Sequence, residues 1–170
     1  MNNSLKLKKR PIWDNIEEVR TESSQFLTTH KFSEEEAHSL IMVISELMEN
    51  GIKYGDYSIA DSVVEILIDI KNSMVEIEVL NPVTDTEKKH LKKLDKTIQW
   101  IRGYQDPFEA FIEKLRHVSK KPLDDMESGL GLVRIAYEGK AVLDFFVGED
   151  NRLNVSAIVD MGNIKRVNHG

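Results

Sequence analysis

The chain has no cysteine among its 170 residues, so neither a disulfide framework nor a thiolate metal site is open to it. No apolar run approaches the length of a membrane span, and residues 1–10 lack the apolar core of a signal peptide. The expectation is a cytoplasmic protein with no membrane partner. Positive charge is in short supply: 23 Lys and Arg against 29 Asp and Glu give a net charge of -6, which argues against a broadly basic nucleic-acid surface. Two local basic runs stand out, Lys6 to Arg10 and Lys88 to Lys93. The first reads as a flexible end, the second as a solvated helix face. Internal repeats and low-complexity linkers are also missing. The chain is therefore read as one domain over 1–170, long enough to bury roughly 70% of its unfolded surface.

The apolar pattern gives an order of elements. Trp13 to Thr29 reads as a helix that buries Ile16, Val19, Phe26 and Leu27. Ser33 can cap the next helix, with Glu36 at capping-box spacing. Val63 to Ile70 and Met74 to Leu80 alternate as strands around a turn at Lys71-Asn72-Ser73. Ala141 to Val147 and Leu153 to Val159 form a second such pair, turning through Gly148 to Asn151. This order predicts an α/β sandwich with helices on one face of a mixed, mostly antiparallel sheet.

Two segments carry candidate chemistry. In Ile44-Ser45-Glu46-Leu47-Met48-Glu49-Asn50-Gly51-Ile52-Lys53-Tyr54-Gly55, residues Glu46, Asn50 and Lys53 fall at i, i+4 and i+7. On a helix turning 100° per residue they lie within about 60° of one another. Leu40, Ile44, Leu47 and Met48 take the other side. An amide oxygen at Asn50 suits Mg²⁺ beside phosphates, since hard cations prefer oxygen. Glu46 could act as a base, and Lys53 could neutralise phosphate charge. The alternative is the plain wet face of an amphipathic helix. The second segment, Glu127-Ser128-Gly129-Leu130-Gly131-Leu132-Val133-Arg134-Ile135-Ala136, reads as a glycine turn opening a buried helix. Such a turn presents free N–H groups to an anion, though glycine there can equally just shape a loop.

Together, the two segments resemble the GHKL ATPase superfamily of gyrase, the heat-shock chaperone ATPases, histidine kinases and anti-sigma-factor serine kinases. Glu46-Leu47-x-x-Asn50-x-x-Lys53-Tyr54 is similar to that family's N box, and Ser128-Gly129-Leu130-Gly131-Leu132 to its second glycine box at the end of the ATP lid. The resemblance spans residues 14–160 and implies a histidine-kinase-like ATPase fold binding ATP and Mg²⁺. It implies that Asn50 holds the metal, that Glu46 is the catalytic base and that Lys53 lies near phosphate. Ser128, Gly129, Leu130 and Gly131 would line the triphosphate. The family's intervening Asp-x-Gly-x-Gly pattern, whose aspartate accepts the adenine amino group, is absent. Asn81 stands in the aspartate's place, followed by Pro82 and no glycine. Asn81 can accept without charge, or it can belong to a turn that ends the strand.

The lid, residues 84–128, is long for a compact anti-sigma kinase. Thr86 to Ile101 reads as a lysine-rich helix with Leu91, Leu94, Ile98 and Ile101 on one stripe. Asp106-Pro107 reads as a cap and first residue of a helix through His117, whose Phe108, Phe111, Ile112 and Leu115 are expected to pack on the core. Ser119 to Glu127 should be mobile. His30, His38, His90, His117 and His169 all lack the acidic neighbour of a histidine-kinase acceptor, and a dimerisation domain is not expected. The resemblance is thus to stand-alone anti-sigma-type serine kinases and partner-switching proteins. It implies a regulatory protein partner, antagonist-like or sigma-factor-like, and leaves a homodimer open. Three functions remain at this stage: a Mg-ATP-binding regulator that phosphorylates serine or threonine, a degenerate relative that binds partners without nucleotide, and an assembly protein with neither activity.

Overall fold

The computed structural model describes residues 2–84, 88–120 and 129–163. Strand β1 (Ser4–Lys9) is followed by helices α1 (Asn15–Thr29) and α2 (Glu34–Tyr54), then by strands β2 (Val64–Lys71) and β3 (Met74–Pro82). Helices α3 (Lys88–Arg102), α4 (Pro107–Val118) and α5 (Leu130–Tyr137) precede β4 (Ala141–Val147), β5 (Arg152–Asp160) and a final 3₁₀ turn, Met161–Asn163. The five strands form one sheet in the order β1-β2-β3-β5-β4, and every pairing among them is antiparallel. Helices cover one face, as the alternating strands require: Val64, Ile66, Ile68, Val75, Ile77, Val79, Ala157 and Val159 are buried beneath Leu40, Ile44, Leu47 and Met48 of α2. Each large aliphatic side chain so buried contributes about 1.5–3 kcal/mol. The two-layer sandwich expected from the sequence is the fold observed.

The basic run at Lys6 to Arg10 is not a loose end. Leu5 and Leu7 alternate with Lys6 and Lys8, and the segment pairs along β2 with Leu7 opposite Ile66. Leu7 is buried while Lys6 and Lys8 face the uncovered side. Period-two burial overrides a charge count. A second correction concerns Asn81-Pro82, read as a possible strand-ending turn, which forms the paired last two residues of β3. The strand runs through both residues, with Asn81 opposite Leu153 and Pro82 opposite Arg152. By then β3 has outrun β2, whose pairing stops at Leu80, so a residue lacking an N–H is tolerated there.

Helix starts follow their caps. Ser33 accepts from the Glu36 N–H at 3.2 Å while the Ser33 N–H donates to the Glu36 carboxylate at 2.7 Å. Asp106 accepts from the Phe108 N–H at 2.9 Å, with Pro107 as the first helical residue. Ile98 and Ile101 of α3 enter the core, with Leu91 and Leu94 packed against it. On α4 the expectation holds only in part. Phe111 packs on the core, but Phe108 and Leu115 remain 43% and 38% exposed. Ser119 and Lys120 are described; the rest of the segment expected to be mobile lies outside the described residues. Among the described residues no helix is long and apolar enough to cross a membrane.

On the uncovered face Glu65, with only 9% of its side chain exposed, meets Lys6 at 3.1 Å, Lys8 at 3.3 Å and Arg152 at 2.9 Å. Burial works against its charge, but the three cations outweigh burial and hold the carboxyl down to about 2 from an ordinary 4.5. A depressed carboxyl stabilises the fold above its unfolded value and ceases to do so as the pH falls through its folded one. The contribution is therefore full above about pH 4.5 and lost toward pH 2. It is of the order of 2 kcal/mol once the exposure of the two lysines is allowed for. Glu65→Gln should lower stability to urea by that amount at pH 7 and by little at pH 2. An equal deficit at both would sink the electrostatic account.

Candidate nucleotide-binding site

A cavity of about 120 Å³ lies between α2, the sheet and the lid helices. Six elements distant in sequence line it. Helix α2 brings Asn50 and Tyr54, β3 brings Asn81, the start of α5 brings Gly129 and Gly131, and α3 closes over them with Leu91 and Leu94. The floor is apolar, built by Leu47, Val79, Leu132 and Val155. Asn50, Asn81, Gly129 and Gly131, singled out from the sequence, thus share one cavity. Glu46 stands at its margin: a Cβ on Gly131 would come within 2.5 Å of Glu46 Oε2.

The glycine turn has a local cause. Gly129 precedes α5 with φ of 61°, a left-handed conformation that side chains rarely adopt. A Cβ there would also press on Lys114 Nζ at 3.0 Å. At Gly131 the constraint is different, since a side chain there would displace the Glu46 carboxylate. Asn81 is 2% exposed, and its amide N–H donates to the Pro82 carbonyl at 3.3 Å. Its Oδ1 lies 3.6 Å from the position a Cβ would take on Gly51, so β3 and α2 are in close contact here.

Other candidates fall elsewhere. Lys53 is exposed, with its ammonium 5.2 Å from the centre of the Tyr54 ring, and it does not line the cavity. One residue on, Tyr54 does, because 100° of helical turn separates them. The lining cations are instead Lys93 of α3 and Lys114 of α4. Lys93 belongs to the run read as a solvated helix face. Leu130 packs against the core rather than lining the cavity. Ser128 lies outside the described residues. His90 lines the cavity, its ring centre 5.3 Å from that of Tyr54.

Sequence reasoning missed Arg134. Its guanidinium meets Glu46 Oε1 at 2.6 Å and Glu138 Oε2 at 3.2 Å. A signal was available: Arg134 is the one charged residue in the otherwise apolar α5, and a charge in such a helix needs a partner. Burial raises the Glu46 carboxyl above its ordinary value; Arg134 pulls it back, while Glu49 and Glu138 push it up again. The net direction is upward, which brings a carboxyl closer to the range in which it can take and return a proton.

The metal-binding question turns on donor chemistry. Among the described residues no cluster of three His, Cys, Asp or Glu could hold a metal ion. A lone amide oxygen at Asn50 fits Mg²⁺ that brings most of its oxygen ligands with it, as phosphates and water, rather than an ion caged by protein.

No protein-family model matches the chain, and no curated protein matches it. Solved structures do. The fold is similar to a chain in the crystal structure of the SiaB–SiaC complex from Pseudomonas aeruginosa, with a TM-score of 0.70 and 19% identity over 91% of this chain and 88% of that one. At that identity the likeness establishes a shared fold, the two-layer arrangement of helices on an antiparallel sheet.

Proposed function

We propose that the chain is a Mg-ATP-binding regulatory protein of the partner-switching type, which engages a protein partner and phosphorylates a serine or threonine on it. The observation that carries this reading is the convergence of Asn50, Asn81, Gly129 and Gly131 on one apolar-floored cavity with Glu46 at its edge. The GHKL resemblance implies roles for each of these residues. The similar solved chain comes from a complex named for two proteins, which supports a protein partner for this one.

In this reading the apolar floor receives the base and the Asn81 amide meets its exocyclic group. Gly129 and Gly131 offer backbone to the phosphates, and Lys93 and Lys114 add positive charge from the lid side. Asn50 would hold Mg²⁺, which supplies neutralisation of charge on the phosphates when bound. Glu46 takes the proton of the acceptor hydroxyl as that oxygen bonds to the γ-phosphorus and the bond from phosphorus to the departing ADP oxygen breaks.

A second reading, a relative that has lost nucleotide and serves as a protein-interaction module, is favoured by one observation. The cavity, at about 120 Å³, is smaller than the roughly 300–1,000 Å³ of ordinary ligand pockets. Calorimetric titration with ATP, with and without Mg²⁺, separates the two. Mg-dependent binding is expected, and Asn81→Asp should tighten ATP by about five- to thirtyfold, or 1–2 kcal/mol, by offering a charged acceptor to the adenine amino group. GTP, with a carbonyl at that position, should gain nothing. If neither nucleotide binds wild type and the aspartate rescues neither, the interaction-module reading stands.

A further inference from the structure

We propose that Arg134 is the positioning residue of this site, fixing the Glu46 carboxylate against Gly131 with Glu138 as its backstop. The inference rests on the reading of Glu46 as the base. Arg134 Nη1 holds Glu46 Oε1 at 2.6 Å, and its Nε and Nη2 are held by Glu138 at 3.4 and 3.2 Å. The guanidinium is therefore gripped from both sides, one arm on α2 and the other at the end of its own helix. The other carboxylate oxygen, Oε2, lies where a side chain at position 131 would stand, beside the glycine turn. A glutamate has three rotatable bonds, and none of them is fixed by the backbone. The guanidinium and the bare α-carbon of Gly131 together select one orientation, toward the cavity margin where an acceptor hydroxyl must approach.

The same geometry governs ionisation. The Glu46 side chain is 16% exposed, and the charged groups acting on it are Glu49 from α2 with Arg134 and Glu138 from the α5 side. From α4, Lys114 reaches Gly129, near the start of α5. Without Arg134 the carboxyl is left buried beside two like charges. It then holds its proton to a higher pH and cannot act as a base until that pH is passed.

The test is NMR of the full chain labelled at glutamate, with Glu46→Gln to assign the signal, alongside the pH profile of Mg-ATP hydrolysis, in which water stands in for the acceptor hydroxyl. In Arg134→Met the Glu46 titration should rise by a pH unit or more and the Glu46–Gly131 proton contact should vanish. The acid limb of hydrolysis should move up by the same interval, with ATP affinity within about twofold of wild type. Arg134→Lys should restore much of each, and Arg134→Gln serves as the neutral variant if the methionine protein does not fold. A neutral variant that keeps the Glu46 titration and the Gly131 contact overturns the proposal. So does one whose titration moves while the hydrolysis limb stays, since Arg134 is then only a tie between two helices. Wild type that binds no ATP sinks the nucleotide reading, and the titration and the Gly131 contact still decide whether Arg134 orients Glu46.

Discussion

Asn50→Ala is expected to abolish Mg²⁺-dependent ATP binding, a loss of at least a hundredfold or about 2.8 kcal/mol, while the melting temperature stays close to that of wild type. Asn50 is half-buried on the cavity side of α2, whereas the residues that anchor this helix to the sheet are Leu40, Val43, Ile44, Leu47 and Met48. Alanine has the highest helix propensity, so the helix itself should not suffer. What alanine removes is an oxygen donor, and a hard cation has no use for a methyl group. Calorimetry with and without Mg²⁺, beside a thermal melt of each protein, reads both quantities. Normal Mg-ATP binding in the variant takes Asn50 out of the site. A fall in melting temperature with binding intact makes it a packing residue.

Glu46→Gln should leave ATP affinity within about twofold of wild type and lower turnover by about 10²–10⁴. Glutamine keeps the size of the side chain and an oxygen that can accept from Arg134, so the contact between α2 and α5 persists in a weaker, uncharged form. It cannot take a proton. Wild-type turnover should in addition fall away on the acid side at a pH above the usual carboxylate range, because burial and two neighbouring carboxylates keep the Glu46 carboxyl raised against the pull of Arg134. Single-turnover measurements on both proteins across pH check the two statements together. Unchanged turnover in the glutamine variant removes Glu46 from the chemistry.

The sandwich was legible because its signals are local. The capping box at Ser33, the Asp106-Pro107 helix start and the alternation of Met74 to Leu80 each act within one element. Strand β1 was misread because Lys6, Lys8 and Lys9 dominate its composition, although Leu5 and Leu7, alternating with Lys6 and Lys8, obey the period that decides burial. The lining of the candidate cavity could be named in advance where a motif fixes backbone, at Asn50 and Gly129-x-Gly131. It was not legible where side chains from distant segments meet. Nothing local to Glu46 announces that a guanidinium 88 positions later will hold it. Tyr54 lines the cavity and Lys53, the residue expected near phosphate, does not, because one step of helical rotation separates them.

The central seam of the sheet joins Met74–Pro82 to Arg152–Asp160, with the whole lid looped out between them. Loop-closure cost grows only with the logarithm of length, about 0.6 kcal/mol per doubling, so the two extra helices burden the finished fold little. Their effect is on timing. Residues 4–82, with three strands and the first two helices, leave the ribosome well before the strand that completes the sheet exists. Pairing across so long a separation is slow. One wall of the cavity, from α2 and β3, therefore waits for the other, from α5 and β5. Asn50 and the glycine turn lie on opposite sides of that long excursion, so a ligand held between them would stabilise the completed chain and not a precursor that lacks α5 and β5.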